Sequence, residues 1–419
     1  MFFQEFELPR DPIFPELWVD IRDFGAKENI LATSAIAKAI EYTAKRGGGH
    51  VLVPKGSWTS GAIHLKSNVD LHFDDGAELT FSSNPEDYLP IVFTAYEGIR
   101  CYNYSPLIYG RGLTNVAITG NGHLEGNGPE WWKWAKNLKA RDILYNANLP
   151  LEERRFGTAD YGLRPMFIQI LESRGVLIEG VTLHNSPCWT VHPIWCEDVI
   201  VRGVTIENPT VSPNTDGVNI ESCNRALVED CTVITTGDDM YCIKAGRNED
   251  AWEVGIPCEN VVIRNCRSLG KSTSGGIVIG SEMSAGVRNI LAENCEFADN
   301  VNCLRIKAKD GRGGVVENID YRNLHLAKGK RGINFSFRYS CEATDDAKEP
   351  GKYMPVFRNI SCENITCDNV DTGITIDGVV GGVMQNLYFK NIKMNARLCM
   401  SADSVDGINM ENVHLTQIY

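Results

Sequence analysis

No apolar run in this chain approaches the roughly 20 residues that a helix needs to cross a bilayer. Excess positive charge is missing too: 41 Lys and Arg stand against 54 Asp and Glu, a net charge of −13. That balance argues against nucleic acid or an anionic membrane as a partner. The opening stretch MFFQEFELPRDPIFPELW lacks the basic start, apolar middle and small-residue cleavage site of a secretory leader. The expectation is a cytoplasmic protein, or a secreted or periplasmic one had a leader been removed. Cysteine is plentiful, at 14 residues, but paired CxxC spacing is absent. Cys223, Cys231, Cys242, Cys258, Cys266, Cys295 and Cys303 mostly sit among apolar strand residues. They read as small buried hydrophobes kept reduced, not as disulfides or metal ligands. No nucleotide or metal motif occurs, so no cofactor is expected.

Helical patterning is scarce. TSAIAKAIEYTAKR (33–46) has apolar residues at helical spacing, with Thr33 or Ser34 as its cap, and 131–138 is a second candidate. Elsewhere short β-branched runs dominate, each closed by Gly, Asn or Asp. These runs resemble one another: VLIEGVTL (176–183), VIVRGVTI (199–206), ALVEDCTV (226–233), VVIRNCRS (261–268), ILAENCEF (290–297), IDYRNLHL (319–326), ISCENITC (360–367), LYFKNIKM (387–394) and INMENVHL (408–415). NVAITGNGHL (115–124) is an earlier copy. Their turn residues are Gly180, Gly203, Asp230, Asn265, Asn294, Asn323, Asn364, Asn391 and Asn412, in steps of 21 to 41 residues. A repeat of this length made of strands predicts a β-solenoid whose coils stack about 4.8 Å apart. Gly and Asn suit the bends because they tolerate left-handed backbone angles. The uneven step and single short motif argue against a propeller. The predicted fold is all-β, a right-handed parallel β-helix forming one domain over 1–419. Residues 1–50 supply an N-terminal segment and a helix that caps one open end.

The register gathers charge on one face. Counted from each turn residue, Asp216 lies thirteen on from Gly203, Asp238 eight on from Asp230 and Ser274 nine on from Asn265. Arg305 and Lys307 lie eleven and thirteen on from Asn294. His192, twelve on from Gly180, and Arg338, fifteen on from Asn323, extend the row. Period-two alternation sets Asn214 with Asp216 and Arg305 with Lys307. Adjacent Asp238 and Asp239 would face opposite ways in a regular strand, but Gly237 before them permits a turn that brings both to the groove.

NTD (214–216), TGDD (236–239) and RIK (305–307) in this order resemble the polygalacturonase family, glycoside hydrolase family 28. The likeness runs from VDIRDFGAKE (19–28) to the last coil. SPCWTVHP (186–193), GGIVIGSEMSAGVRNI (275–290) and GRGGVVENI (311–319) are similar to the bacterial exo-acting branch. Hydrolysis of a glycosidic bond needs an acid to protonate the leaving oxygen and a base to activate water. The resemblance implies Asp238 as general acid, with Asp216 and Asp239 holding the water. Arg305 and Lys307 would grip a uronate carboxylate, and Asn214 would orient a base or contact sugar hydroxyls. The implied substrate is a pectic oligosaccharide. One departure stands out: where the family usually carries Gly-His-Gly, this chain has Thr273, Ser274 and Gly275. Either Ser274 serves a different sugar, or hydrolysis is crippled and the protein mainly binds.

Other residues carry two readings each. His192 lines the groove beside Asp216 or hydrogen-bonds within its own turn. Trp131, Trp132 and Trp134 stack on sugar or pack an insertion against the barrel. Glu282 is read as a structural hydrogen-bond partner before a fourth catalytic acid, and Asp345 and Asp346 as solvent-exposed. The insertions 128–163, 247–257 and 340–354 are expected to wall off one end of the groove, giving exo action. A polysaccharide lyase on the same fold and a non-catalytic carbohydrate-binding solenoid remain as alternatives.

Overall fold

The repeated octets stack in register. The first residue of each copy lies beside the first residue of the next: Val176 beside Val199, then Ala226, Val261, Ile290, Ile319, Ile360, Leu387 and Ile408. Every one of these pairings is parallel, and the coils wind into the expected right-handed parallel β-helix. The computed structural model describes residues 1–146, 149–158, 161–339 and 349–419.

The predicted bends are real and have a common cause. Gly180, Gly203, Asp230 and every turn Asn from Asn265 to Asn412 hold φ between 52° and 80°, where a short side chain that can bond locally is favoured. The asparagines also bond to one another along the axis. Nδ2 of Asn323, Asn364, Asn391 and Asn412 donates to Oδ1 of the preceding rung at 3.0, 2.8, 3.0 and 2.7 Å. A second ladder, not foreseen from sequence, joins Asn386 to Asn359 and Asn359 to Asn318 at 2.7 and 3.0 Å.

Inward side chains form one continuous core from Val19 to Ala396. The described cysteines are free, and all but half-buried Cys399 are buried. Burial of Cys101 and its kin in apolar surroundings suits thiols acting as small hydrophobes. The helix Thr33–Lys45 closes one end by burying Ala35, Ile36, Ala39 and Ile40. Its cap differs from expectation: Ala32 is the N-cap, with no side-chain bond, and Thr33 Oγ1 instead accepts from Gly61 N at 2.6 Å. At the other end the strand Asp406–Gln417 leaves Met410 44% exposed.

The N-terminal arm runs along the outside of the coils. Phe3, Phe6 and Leu8 pack on outward-facing Leu227, Val262 and Leu291, and Phe14 on Ala117, Leu177 and Ile200. Backbone N–H groups of Phe2 and Gln4 bond to Asp320 and Asn289 at 2.9 and 2.7 Å.

Three insertions rise on the groove side. A hairpin of Val92–Tyr96 and Ile99–Asn103, joined by Arg155–Phe156, was not foreseen. Beside it lie the helices Gly128–Trp132, Leu138–Leu144 and Asn248–Val254. Asp250 ties them together, accepting from Arg100 and Arg154 at 3.1 and 2.6 Å. Trp131 is 1% exposed and sits edge-on to Tyr88 and Trp134, and Trp132 Nε1 donates to Ser186 O at 2.9 Å. These tryptophans anchor the insertion to the barrel, so the sugar-stacking reading is corrected for Trp131. Asp345 and Asp346 lie outside the described residues.

Candidate active site

The DD pair follows a bend that only glycine permits. A Cβ on Gly237 would lie 1.7 Å from Ser212 O, so the close approach of the two coils, rather than a left-handed φ, requires it. The bend is fixed from the next coil, where Ser272 Oγ donates to Asp238 O at 2.7 Å and Thr273 Oγ1 to Gly237 O. Asp238 and Asp239 therefore both face one cavity of about 260 Å³ together with Asn214, Asp216, Lys244, Glu282, Lys307 and Tyr339.

Each flanking carboxylate is half-committed. Asp239 Oδ2 takes the Lys307 ammonium at 2.7 Å, and Asp216 Oδ2 takes that of Lys244 at 3.2 Å. Their other oxygens, Oδ1 in both, are buried and have no hydrogen-bond partner among the described residues. A buried carboxylate oxygen without a donor is costly, so the pair is prepared for a donor that arrives from the cavity. Asp238 is different: among the described residues no cation pairs with it, and its Oδ1 accepts from Asp239 N at 3.0 Å.

The electrostatics separate the three acids. Burial, then the charges of Asp216 and Asp239, push Asp238 up to about 8. Burial also raises Asp216, although Lys244 and Lys307 oppose it. Burial acts upward on Asp239 as well, but Lys307, Arg305 and Lys244 together outweigh it and hold this carboxyl below its ordinary value. One acid thus keeps its proton near neutrality while a neighbour stays ionised, the division that acid–base chemistry requires.

The other expected residues divide. Asn214, at φ 53°, faces the cavity, with Oδ1 accepting from buried Arg164 at 2.8 Å. Arg305 Nη1 donates to Ser274 Oγ at 3.1 Å, while its buried Nε has no partner among the described residues. His192 is corrected: it is fully buried, its ring held between Gln169 at 2.9 Å and Glu221 at 2.7 Å, so it does not line the groove. Its register is shared with Asn219, but the overlying hairpin insertion covers that part of the face. Arg338 is also corrected. It sits past the groove, pairing with exposed Asp403 and donating to Gly378 O at 3.3 Å, and the next residue, Tyr339, lines the cavity instead. Glu282 serves as the structural partner expected, accepting from Lys244 at 3.1 Å and Ser281 Oγ at 2.9 Å.

Lys244 and Glu97 were missed. Period-two alternation in CIK (242–244) places Lys244 beside Cys242 on the groove face, a signal present in the sequence. Glu97 carried no signal, because its hairpin lies far upstream of the motifs. Its Oε2 accepts from Arg141 at 3.3 Å and Arg247 at 3.5 Å, and all three residues line the cavity. Ligand atoms of Asp216, Asp239 and Cys242 lie within 4.8 Å of one another, but a cation there would displace two lysine ammoniums, and burial keeps the Cys242 thiol protonated.

The sequence model of one protein family, described as "Glycosyl hydrolases family 28", matches residues 152–417. A protein named "Probable polygalacturonase" from Vitis vinifera is 30% identical over 384 residues, covering 89% of this chain and 73% of that one. An "Exo-poly-alpha-D-galacturonosidase" from Dickeya chrysanthemi is 27% identical over 441 residues, covering 96% and 71%. The structure of a hyperthermoactive exopolygalacturonase from Thermotoga maritima superposes with a TM-score of 0.88 at 35% identity, covering 98% of this chain and 94% of that one.

Proposed function

The chain belongs to glycosyl hydrolases family 28, and on that premise we propose that it is an inverting exo-hydrolase of galacturonan-type oligosaccharides. The carrying observation is the arrangement of three acids: Asp216 and Asp239 each offer a bare Oδ1 while a lysine holds Oδ2, and Asp238, paired with no cation among the described residues, is raised to about 8. Water held between the two bare oxygens attacks the anomeric carbon and gives up a proton to a carboxylate. Asp238 delivers its proton to the glycosidic oxygen as that bond breaks. The new bond forms on the opposite face, so the configuration inverts.

Arg305 and Lys307 confer the preference for a uronate. Lys307 neutralises Asp239, whereas the buried Nε of the Arg305 guanidinium has no partner among the described residues. A carboxylate on the sugar supplies the partner, and a planar guanidinium suits it. Exo action is supported by the insertions that line the cavity through Glu97 of the hairpin turn, Arg141 of the helix Leu138–Leu144 and Arg247. A chain entering such a pocket presents its end. The family's hydrolytic chemistry takes the place of the lyase alternative.

Incubation with galacturonate oligomers, followed by mass analysis of the released unit, tests this. One small product should accumulate from the start. A ladder of intermediate sizes at early times overturns exo action, and an unsaturated product overturns hydrolysis.

A further inference from the structure

Lys244 touches no reacting atom in the reaction outlined above, yet it lines the site and its ammonium holds Asp216 Oδ2. It ends the strand Tyr241–Lys244 and is 3% exposed. Its ammonium sits 3.2 Å from Asp216 Oδ2, 3.1 Å from Glu282 Oε2 and 4.0 Å from the centre of the Trp189 ring. A lysine this deep is unfavourable unless its charge is matched. Here it is matched twice, and Trp189 shields the remaining side.

The geometry points to Lys244 as a positioning residue, shared between Asp216 and Glu282, that fixes which Asp216 oxygen faces the cavity and how readily that carboxylate ionises. This rests on the reading of Asp216 as a holder of the attacking water. Because the one ammonium is divided between two anions, Glu282 draws on the charge that would otherwise serve Asp216 alone. Glu282 is itself held ionised: burial acts against it, but Lys244, Arg312 and Arg247 outweigh that effect.

The groups facing Asp216 come from several elements. Lys244 and Cys242, whose Sγ is 3.4 Å away, lie on the adjacent strand. Asp238 and Asp239 face it from the bend, and Lys307 from the strand Val287–Lys307. Asp239 is held low by its own lysine and Asp216 is raised by burial, so Asp216 is the later of the two to ionise. The acid limb of activity therefore reports on Asp216.

The test is the pH profile of kcat/KM on a galacturonate oligomer for the wild type, Lys244→Met, Lys244→Arg and Glu282→Gln. Removing the cation should move the acid limb of Lys244→Met to higher pH, by about 1–3 units. Glu282→Gln should move it to lower pH, because Lys244 then serves Asp216 alone, and Lys244→Arg should restore the limb toward the wild-type position. A purely structural role would lower activity at every pH and move neither limb. An unmoved limb in Lys244→Met, or shifts of the same sign in it and Glu282→Gln, overturns the proposal. Should Lys244→Met fail to fold, the Glu282→Gln profile decides: an unmoved or upward limb overturns it. Asp216→Asn separates the two readings. If it keeps more than a tenth of the wild-type rate, the assignment of Asp216 falls. If it is inactive while the limbs stay fixed, the role of Lys244 alone falls.

Discussion

Ser274 Oγ accepts a hydrogen bond from Arg305 Nη1 at 3.1 Å, which ties the serine read from sequence as standing in for a histidine to the guanidinium proposed for the substrate carboxylate. Ser274 is fixed by its neighbours, its N–H bonding Ser272 Oγ at 3.0 Å and its carbonyl Asn302 Nδ2 at 3.1 Å. Ser274→Ala should keep the fold and raise KM for uronate substrates, by up to about tenfold for one lost hydrogen bond to a charged group. Ser274→His should change the relative rates on plain oligogalacturonate and on other uronate-containing oligomers. Initial rates across a panel of pectic oligomers check both. If neither variant changes the substrate profile or the pH dependence, Ser274 takes no part in recognition.

Asp238→Asn should lower kcat by roughly 10²-fold or more, because the amide cannot donate the acidic proton. In the wild type, activity should decline as pH rises through about 8, where Asp238 gives up its proton. Stability carries the same signature. An ordinary aspartate has a pKa of about 3.9, so as pH rises the unfolded chain ionises first and the native state loses stability until about pH 8. The asparagine variant has no such loss. Its Tm should exceed the wild-type value by an amount that grows from acid to neutral pH and levels off above pH 8. A constant difference across that range would mean that Asp238 is ionised throughout.

Arg305→Ala should weaken binding of uronate substrates first, through KM, and leave neutral oligosaccharides little changed. Arg305 does not contact the attacking water in this arrangement, so kcat should fall less than kcat/KM. Equal losses on charged and neutral substrates would remove the carboxylate-binding role.

Truncation of residues 1–12 should destabilise the protein while sparing catalysis. Phe3, Phe6 and Leu8 are half-buried on Leu227, Val262 and Leu291. Taking about half the value of a fully buried side chain for each gives a loss of roughly 3 kcal/mol. Denaturant unfolding measures the loss, and kcat/KM should stay within about twofold, since the arm lies outside the groove. Unchanged stability would show that the arm contributes nothing to the coils beneath it.

Much of this protein was determined by its sequence alone. The octets with Gly, Asp or Asn at the bend fixed the coils and their register, because a left-handed φ and a two-residue side-chain period are local properties of the backbone. The same register brought Asp216, Asp238, Asp239 and Lys307 to one cavity. Tertiary structure alone decided what covers each position on that face. His192 kept its place in the register but lies sealed between Gln169 and Glu221, since a hairpin distant in sequence folds over it. Arg338 turned outward to Asp403. The need for Gly237 arises from Ser212 on the neighbouring coil, and the division of Lys244 between Asp216 and Glu282 joins residues far apart in sequence. Local preferences set where the chain bends. Only contacts between coils and insertions settle which side chains meet solvent, which meet a counter-charge, and so which acid keeps its proton.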